Sequence, residues 1–201
     1  MAMTILYPVG QHLYVNLTNK CPCACTFCIR QNGDGAYGSD SLWLEHDPDL
    51  DEIEAAFAKW DLSQFTELVF CGYGEPTEAL PMLLQTAEYA KTLPGCPPIR
   101  LNTNGLSDLI HGKPTASDFA GLIDTVSISL NAGTEKEYMA VTRPKWDNAF
   151  EAMQKFALDC KKFVPKVMFT VVDVIPQSEI EAAQAVADRL GIPLRVRKYD
   201  S

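Results

Sequence analysis

Four cysteines crowd into eight residues, Cys21-Pro22-Cys23-Ala24-Cys25-Thr26-Phe27-Cys28. Thiolates are soft ligands suited to iron–sulfur clusters and to zinc. Short spacings on one loop let several sulfurs converge with little backbone rearrangement. Cys21, Cys25 and Cys28 follow C-x3-C-x2-C, and Cys23 adds a fourth thiol. A four-cysteine zinc-binding structural module is therefore the competing reading. Such sites usually join two separate C-x2-C hooks, and the chain has no second hook. Cys71 and Cys160 read as buried core thiols. Cys96 stands in a Pro/Gly loop without a partner signal. His12, His46 and His111 lack the H-x-x-x-H spacing of a zinc helix and read as surface residues.

The chain around these residues has 201 amino acids and a mass of 22.2 kDa. That length predicts a single domain, 1–201. The apolar fraction of 47% and charged fraction of 21% suit a folded protein. Lys plus Arg number 17 against 26 Asp plus Glu, for a net charge of −9. That balance argues against nucleic acid, whose binding rests on Lys and Arg neutralising phosphates. No apolar run approaches the ~20 residues of a membrane span. Met1 to Gly10 lacks the pattern of an export signal. A cytoplasmic location is expected, where disulfides are rare and tight cysteine groups read as metal-binding or catalytic.

The elements that must position the cysteines alternate between strand and helix. Strand signals cover 13–17, 67–71, 99–104, 125–130, 167–174 and 194–198. Helical spacing recurs at Leu50, Ile53, Phe57 and Trp60, then at Leu80, Leu83, Leu84 and Ala87. A short helix is expected over 116–123. Phe150, Met153, Ala157 and Cys160 share a stripe, as do Ile180, Ala183, Ala187 and Leu190. Ser178 and Glu181 are spaced as a capping box, and Gly191 as a C-cap. About six β-then-α repeats predict an α/β fold with a mainly parallel sheet and right-handed crossovers. Six units fall short of an eight-fold barrel, so a partial parallel β/α barrel or a doubly wound sheet is expected. The segment Arg30 to Pro48 is the longest irregular stretch, a lid or a cover for the cysteine loop.

Strand alternation sorts the side chains further. Leu13, Val15 and Leu17 oppose Tyr14 and Asn16. Leu101 and Thr103 oppose Asn102 and Asn104. Val126, Ile128 and Leu130 oppose Ser127 and Ser129. Leu194 and Val196 oppose Arg195 and Arg197. The apolar sets should meet the helices, and the polar sets should line a shared concave face able to hold a polar ligand. Arg195 and Arg197 suit a substrate carboxylate or phosphate there. The alternative is edge charge that blocks aggregation. Lys161, Lys162 and Lys166 read as a solvated face.

With these residues in view, the chain resembles the radical S-adenosylmethionine (radical SAM) enzymes. The resemblance lies in C-x3-C-x-aromatic-C, with Phe27 in the aromatic slot, and in Cys71-Gly72-Tyr73-Gly74-Glu75-Pro76 after the second strand. Tyr73 replaces the first glycine of the usual Gly-Gly-Glu-Pro. The segments NLTNKCPCACTFCIR, VFCGYGEPTE, LNTNG and SISLNA resemble the TatD family-associated members, which take their name from TatD-like hydrolases.

The resemblance implies a [4Fe-4S] cluster on Cys21, Cys25 and Cys28, with one iron left for S-adenosylmethionine. Reductive cleavage then yields a 5′-deoxyadenosyl radical that takes hydrogen from a substrate. Cys23 becomes a non-ligand. Phe27 shields the cluster. The Tyr73–Pro76 backbone, with Glu75, holds the methionine amino group, and Gly74 allows close approach. Asn102, Asn104, Ser127 and Ser129 reach the ribose or carboxylate. Arg143, in Thr-Arg-Pro, pairs with the methionine carboxylate. Val172 has the parity for adenine but reads first as core. Tyr14, Asn16, Arg195 and Arg197 are the expected substrate contacts. The polar inward face and the pair Arg195 and Arg197 point to a small polar, small-molecule substrate, while the resemblance implies anaerobic chemistry, an electron donor such as flavodoxin or ferredoxin, and a TatD-like hydrolase partner. An activase that places a radical on a partner protein is the alternative enzyme.

Overall fold

The computed structural model describes residues 3–199. Seven strands form one sheet in the order β1-β2-β3-β4-β5-β6-β7. These are β1 (Leu6–Val9), β2 (His12–Val15), β3 (Glu67–Phe70), β4 (Ile99–Thr103), β5 (Thr125–Ser129), β6 (Lys166–Val172) and β7 (Leu194–Arg197). From β2 to β7 every pairing is parallel, as the alternation predicts. The helices are α1 (Leu50–Phe57), α2 (Leu80–Thr92), α3 (Ser107–His111), α4 (Glu135–Thr142), α5 (Ala149–Cys160) and α6 (Gln177–Leu190). Sequential order with right-handed crossovers puts the helices on one face. The sheet curls the other way into a partial barrel, with β1 and β7 as its edges.

Strand β1 is a finding beyond the sequence reading. It pairs antiparallel with β2 through a hairpin whose turn uses Gly10 at φ +57°. Pro8 hid it, yet proline is tolerated on an edge strand. The short helix expected over 116–123 is a single 3-10 turn, Ala116–Phe119. The capping box of Ser178 and Glu181 does not form. Pro176 takes the N-cap, and its fixed φ starts α6 one residue before the serine. Gly191 closes α6 at φ +60°, as expected. Asp49 and Glu52 make the reciprocal box instead, at the start of α1.

The main core lies between sheet and helices. Leu13, Val15, Leu68, Phe70, Leu101, Ile128 and Phe169 are fully buried there against Phe57, Leu83, Phe119 and Phe156. A second apolar cluster sits on the concave side, where Tyr7, Ala36, Leu42 and Tyr73 join Val9, Tyr14 and Ile29. The long irregular segment thus covers the β1–β2 side of the concave face. Asn16 fastens it. The side chain is wholly buried, and its Nδ2 donates to the Leu42 carbonyl at 2.8 Å and to Thr4 at 3.3 Å. This corrects its assignment as a substrate contact. Asn19 adds a reciprocal pair with Leu44 at 2.8 and 3.0 Å. The Tyr73 hydroxyl donates to the Gly33 carbonyl at 2.8 Å.

Replacing Asn16 by Leu keeps volume but strands the buried Leu42 carbonyl, at a cost of about 1–3 kcal/mol. The expected result is faster limited proteolysis between Gly33 and Asp47 with the sheet still folded. Cleavage at the wild-type rate would show that the segment is held by other contacts.

Candidate functional site

The cysteine loop leaves the C-terminal end of β2, the end at which parallel folds place their chemistry. Its backbone is held from two sides. On one side it runs beside the residues that end α4. Thr26 N donates to the Val141 carbonyl at 2.8 Å, Ala24 N to Thr142 at 3.1 Å, and Lys145 N to Pro22 at 3.1 Å. Cys23 and Pro144 form a β-bridge. On the other side it meets the Gly-Glu-Pro loop, where Glu75 N donates to the Lys20 carbonyl at 2.8 Å. A methyl group on Gly74 would strike the carbonyls of Thr18 and Lys20. Only glycine lets these two loops approach so closely.

The Glu75 carboxylate is buried, at 4% exposure. Its Oε1 accepts from Thr77 N at 3.1 Å, Thr77 Oγ1 at 2.8 Å and Thr103 Oγ1 at 2.6 Å. Its Oε2 accepts from Asn104 N at 2.7 Å. Burial pushes its pKa up, and the four donors pull against that shift. His111 supports the same loop, its Nε2 lying 2.8 Å from the Thr77 carbonyl.

Cys21, Cys25 and Cys28 are half-buried and unbridged, while Cys23 is buried. The Cys23 thiol shares its proton with its neighbours. This holds Cys21 and Cys25 below the ordinary thiol value and pushes Cys23 up. Burial raises Cys28. The charge of Arg30 favours the thiolates of Cys21, Cys25 and Cys28. The sequence reading missed Arg30, although it stands two residues past the last cysteine. Among the described residues, no three His, Cys, Asp or Glu side chains converge tightly enough for a single metal ion. Cysteine sulfurs bound to different irons of a four-iron cluster stand farther apart than the ligands of one ion. Beside the loop, the buried Tyr138 hydroxyl has no hydrogen-bond partner and feels the charge of Cys23 and Cys25. A cluster's sulfurs would give that donor an acceptor. The residues present therefore fit the cluster.

The other expected residues divide into groups. Phe27 is half-buried between Cys25 and Cys28. Tyr73 is buried under the covering segment, with its ring 5.1 Å from that of Trp43. Pro76 opens a 3-10 turn. Asn104 turns toward the cysteines, with Nδ2 at 3.7 Å from Cys23 Sγ. Asn102, Ser127, Ser129, Tyr14, Arg195 and Arg197 keep the inward parity, opposite the core residues of their strands. Val172 shares that parity and lies outside the main core cluster. Arg143 is exposed at φ +48°, and its neighbours hold the cysteine loop. Cys160 is fully buried core, as expected. Cys71 is not core. It is half-buried on the inward face, where Asn102 favours its thiolate against burial and Tyr7 Oη donates to its carbonyl at 3.1 Å. Its parity with Glu67 and Val69, opposite Leu68 and Phe70, carries that signal.

The sequence profile of the Radical SAM superfamily matches residues 15–187. The chain belongs to the Radical SAM superfamily. Radical SAM enzymes use a [4Fe-4S] cluster and S-adenosylmethionine, and those are the cofactors of this one. Two solved structures share the fold. One is Streptococcus suis SuiB bound to precursor peptide SuiA, at TM-score 0.66 and 15% identity over 97% of this chain and 40% of that chain. The other is HydG, a maturase of the [FeFe]-hydrogenase, at TM-score 0.65 and 12% identity over 94% and 42%. This radical SAM chain thus spans about two-fifths of each. A comparison with curated protein sequences returns no match. No described helix is long and apolar enough to cross a membrane.

Glu75→Gln puts amide hydrogens where a carboxylate oxygen meets donors. It should lower stability by about 2–3 kcal/mol in urea unfolding. Unchanged stability would mean that the four hydrogen bonds do not hold the loops.

Proposed function

We propose that Cys21, Cys25 and Cys28 hold the cluster and that Cys23 does not. The carrying observation is the loop itself. It sets three half-buried thiols above the strand ends and against the Gly-Glu-Pro loop, over an inward face of polar side chains. When bound, the cluster and S-adenosylmethionine supply a 5′-deoxyadenosyl radical. The chain's own residues supply position and exclusion of water. Phe27 shields the cysteine loop. The backbone from Tyr73 to Pro76 offers carbonyls to the methionine amino group, and Glu75 keeps that backbone in place. Asn102, Asn104, Ser127 and Ser129 bond the ribose and carboxylate. Arg143 swings its exposed guanidinium to the methionine carboxylate. The substrate is a small polar molecule held on the concave face by Tyr14, Arg195 and Arg197.

The motif set from Asn16 to Arg30, with VFCGYGEPTE, LNTNG and SISLNA, supports a narrower affiliation with the TatD family-associated radical SAM proteins. A TatD-like hydrolase acting on the same pathway, a flavodoxin or ferredoxin donor and an anaerobic cytoplasm belong to that reading.

Anaerobic reconstitution followed by iron analysis and 5′-deoxyadenosine assay tests it. Wild type and Cys23→Ala should bind four irons and release 5′-deoxyadenosine on reduction. Cys21→Ala, Cys25→Ala and Cys28→Ala should lose product by at least ~100-fold. Loss in Cys23→Ala equal to that in Cys25→Ala would sink the three-cysteine assignment. One zinc per chain without iron would return the loop to the structural reading.

A further inference from the structure

The strands carry their charge on one face only. Arg100, Lys166, Arg195 and Arg197 stand on the inward parity with one carboxylate, Glu67, and the outward parity has no charged residue. This excess of cations occurs in a chain of net charge −9. The inward strand positions are therefore opposite in sign to the molecule around them.

Arg100 is the informative member. It precedes Asn102 by two residues on β4, and its side chain is only 12% exposed. One terminal nitrogen meets Glu67 Oε2 at 3.3 Å. That same oxygen lies 3.6 Å from His12 Nδ1, so the carboxylate is shared. Arg100 Nε is buried and has no partner. A guanidinium offers five donors, and a buried donor left unmade carries a desolvation penalty. Arg197 approaches from the far edge of the sheet. Four strands separate β7 from β2 in the sheet order. Arg197 ends β7 opposite Val172, and both it and Arg100, from inward positions, favour ionisation of the same two inward groups, Tyr14 and Cys71. Among the described residues, Arg197 has no carboxylate within ion-pair distance. Tyr14 stands on the same inward parity, and its phenol offers a hydroxyl donor at neutral pH.

We propose that Arg100 and Arg197 form an anion site inside the barrel, with Tyr14 as a neutral donor, for a carboxylate or phosphate on the substrate. The proposal rests on the reading in which the concave face holds the substrate. Two guanidinium forks match the paired oxygens of such anions. Arg100 lies toward the N-terminal half of its strand, below Asn102 and the Cys71 level. An anion held there directs the rest of the molecule up toward the cysteine loop.

The test is calorimetric titration of the reconstituted holoenzyme with inorganic phosphate and, separately, with malonate, at ionic strength fixed by chloride. Saturable binding of either anion is expected, phosphate alone indicating a phosphorylated substrate and malonate alone a carboxylate. Arg100→Gln and Arg197→Gln should each weaken that binding at least ~10-fold, while Lys59→Gln on the outer surface should not. Arg197 is exposed, so its variant should fold even where Arg100→Gln does not. Absence of saturable binding in wild type, or equal binding by Arg197→Gln, overturns the site. 5′-Deoxyadenosine is measured on the same wild-type preparation. Cleavage without anion binding defeats the anion site alone. Anion binding without cleavage leaves the site standing and counts against the radical reading.

Discussion

One buried carboxylate joins the loops on which this site is built. Glu75 accepts four hydrogen bonds, from its own loop through Thr77 and from the end of β4 through Thr103 and Asn104. Its backbone N–H reaches the start of the cysteine loop at Lys20. A buried carboxylate is tolerated only when donors surround it. That requirement also fixes geometry, because every donor must arrive from a set direction. The cysteine loop, the Gly-Glu-Pro loop and the β4 exit are therefore positioned together. Gly74 lets two of them touch, and the ladder to the end of α4 holds the third side.

The fold supplies the rest through the order of its strands. A sequential parallel sheet with its helices on one side has a free concave face, and here that face is neither filled with aliphatic side chains nor fully open. The segment after the cysteines covers its β1–β2 side, held by Asn16, Asn19 and Tyr73. That cover shields the inward polar side chains from bulk solvent on this side. Asn32 also bonds Tyr199 at 2.8 Å, so the segment reaches across to the residues beyond β7.

What was legible in the sequence follows the range of each interaction. The cysteine motif lies within eight residues, so its chemistry could be read directly. Strand parity has a period of two, so the inward set from Tyr14 to Arg197 could be named before any contact was known. Arg100 shares that parity with Asn102, but a single arginine near the start of a strand carries no signal that separates a buried inward charge from a solvated one. Asn16 was assigned to the substrate because its true partner, Leu42, lies twenty-six residues away with no local signal. Cys71 reads as core in the sequence because a thiol ending an apolar strand looks the same on either face. The capping box failed through local competition, as Pro176 set the helix start. Strand β1 is short and contains a proline, and only its two-residue turn marked it.

A cluster held by three cysteine sulfurs, as proposed for Cys21, Cys25 and Cys28, leaves one iron open to S-adenosylmethionine. Mössbauer spectroscopy of the protein reconstituted with iron-57 tests this most directly, recorded without and with S-adenosylmethionine. One iron of the four should change its signal on addition while the other three do not. Four irons that stay unchanged would mean a fourth protein ligand, with Cys23 the nearest thiol, and would contradict it.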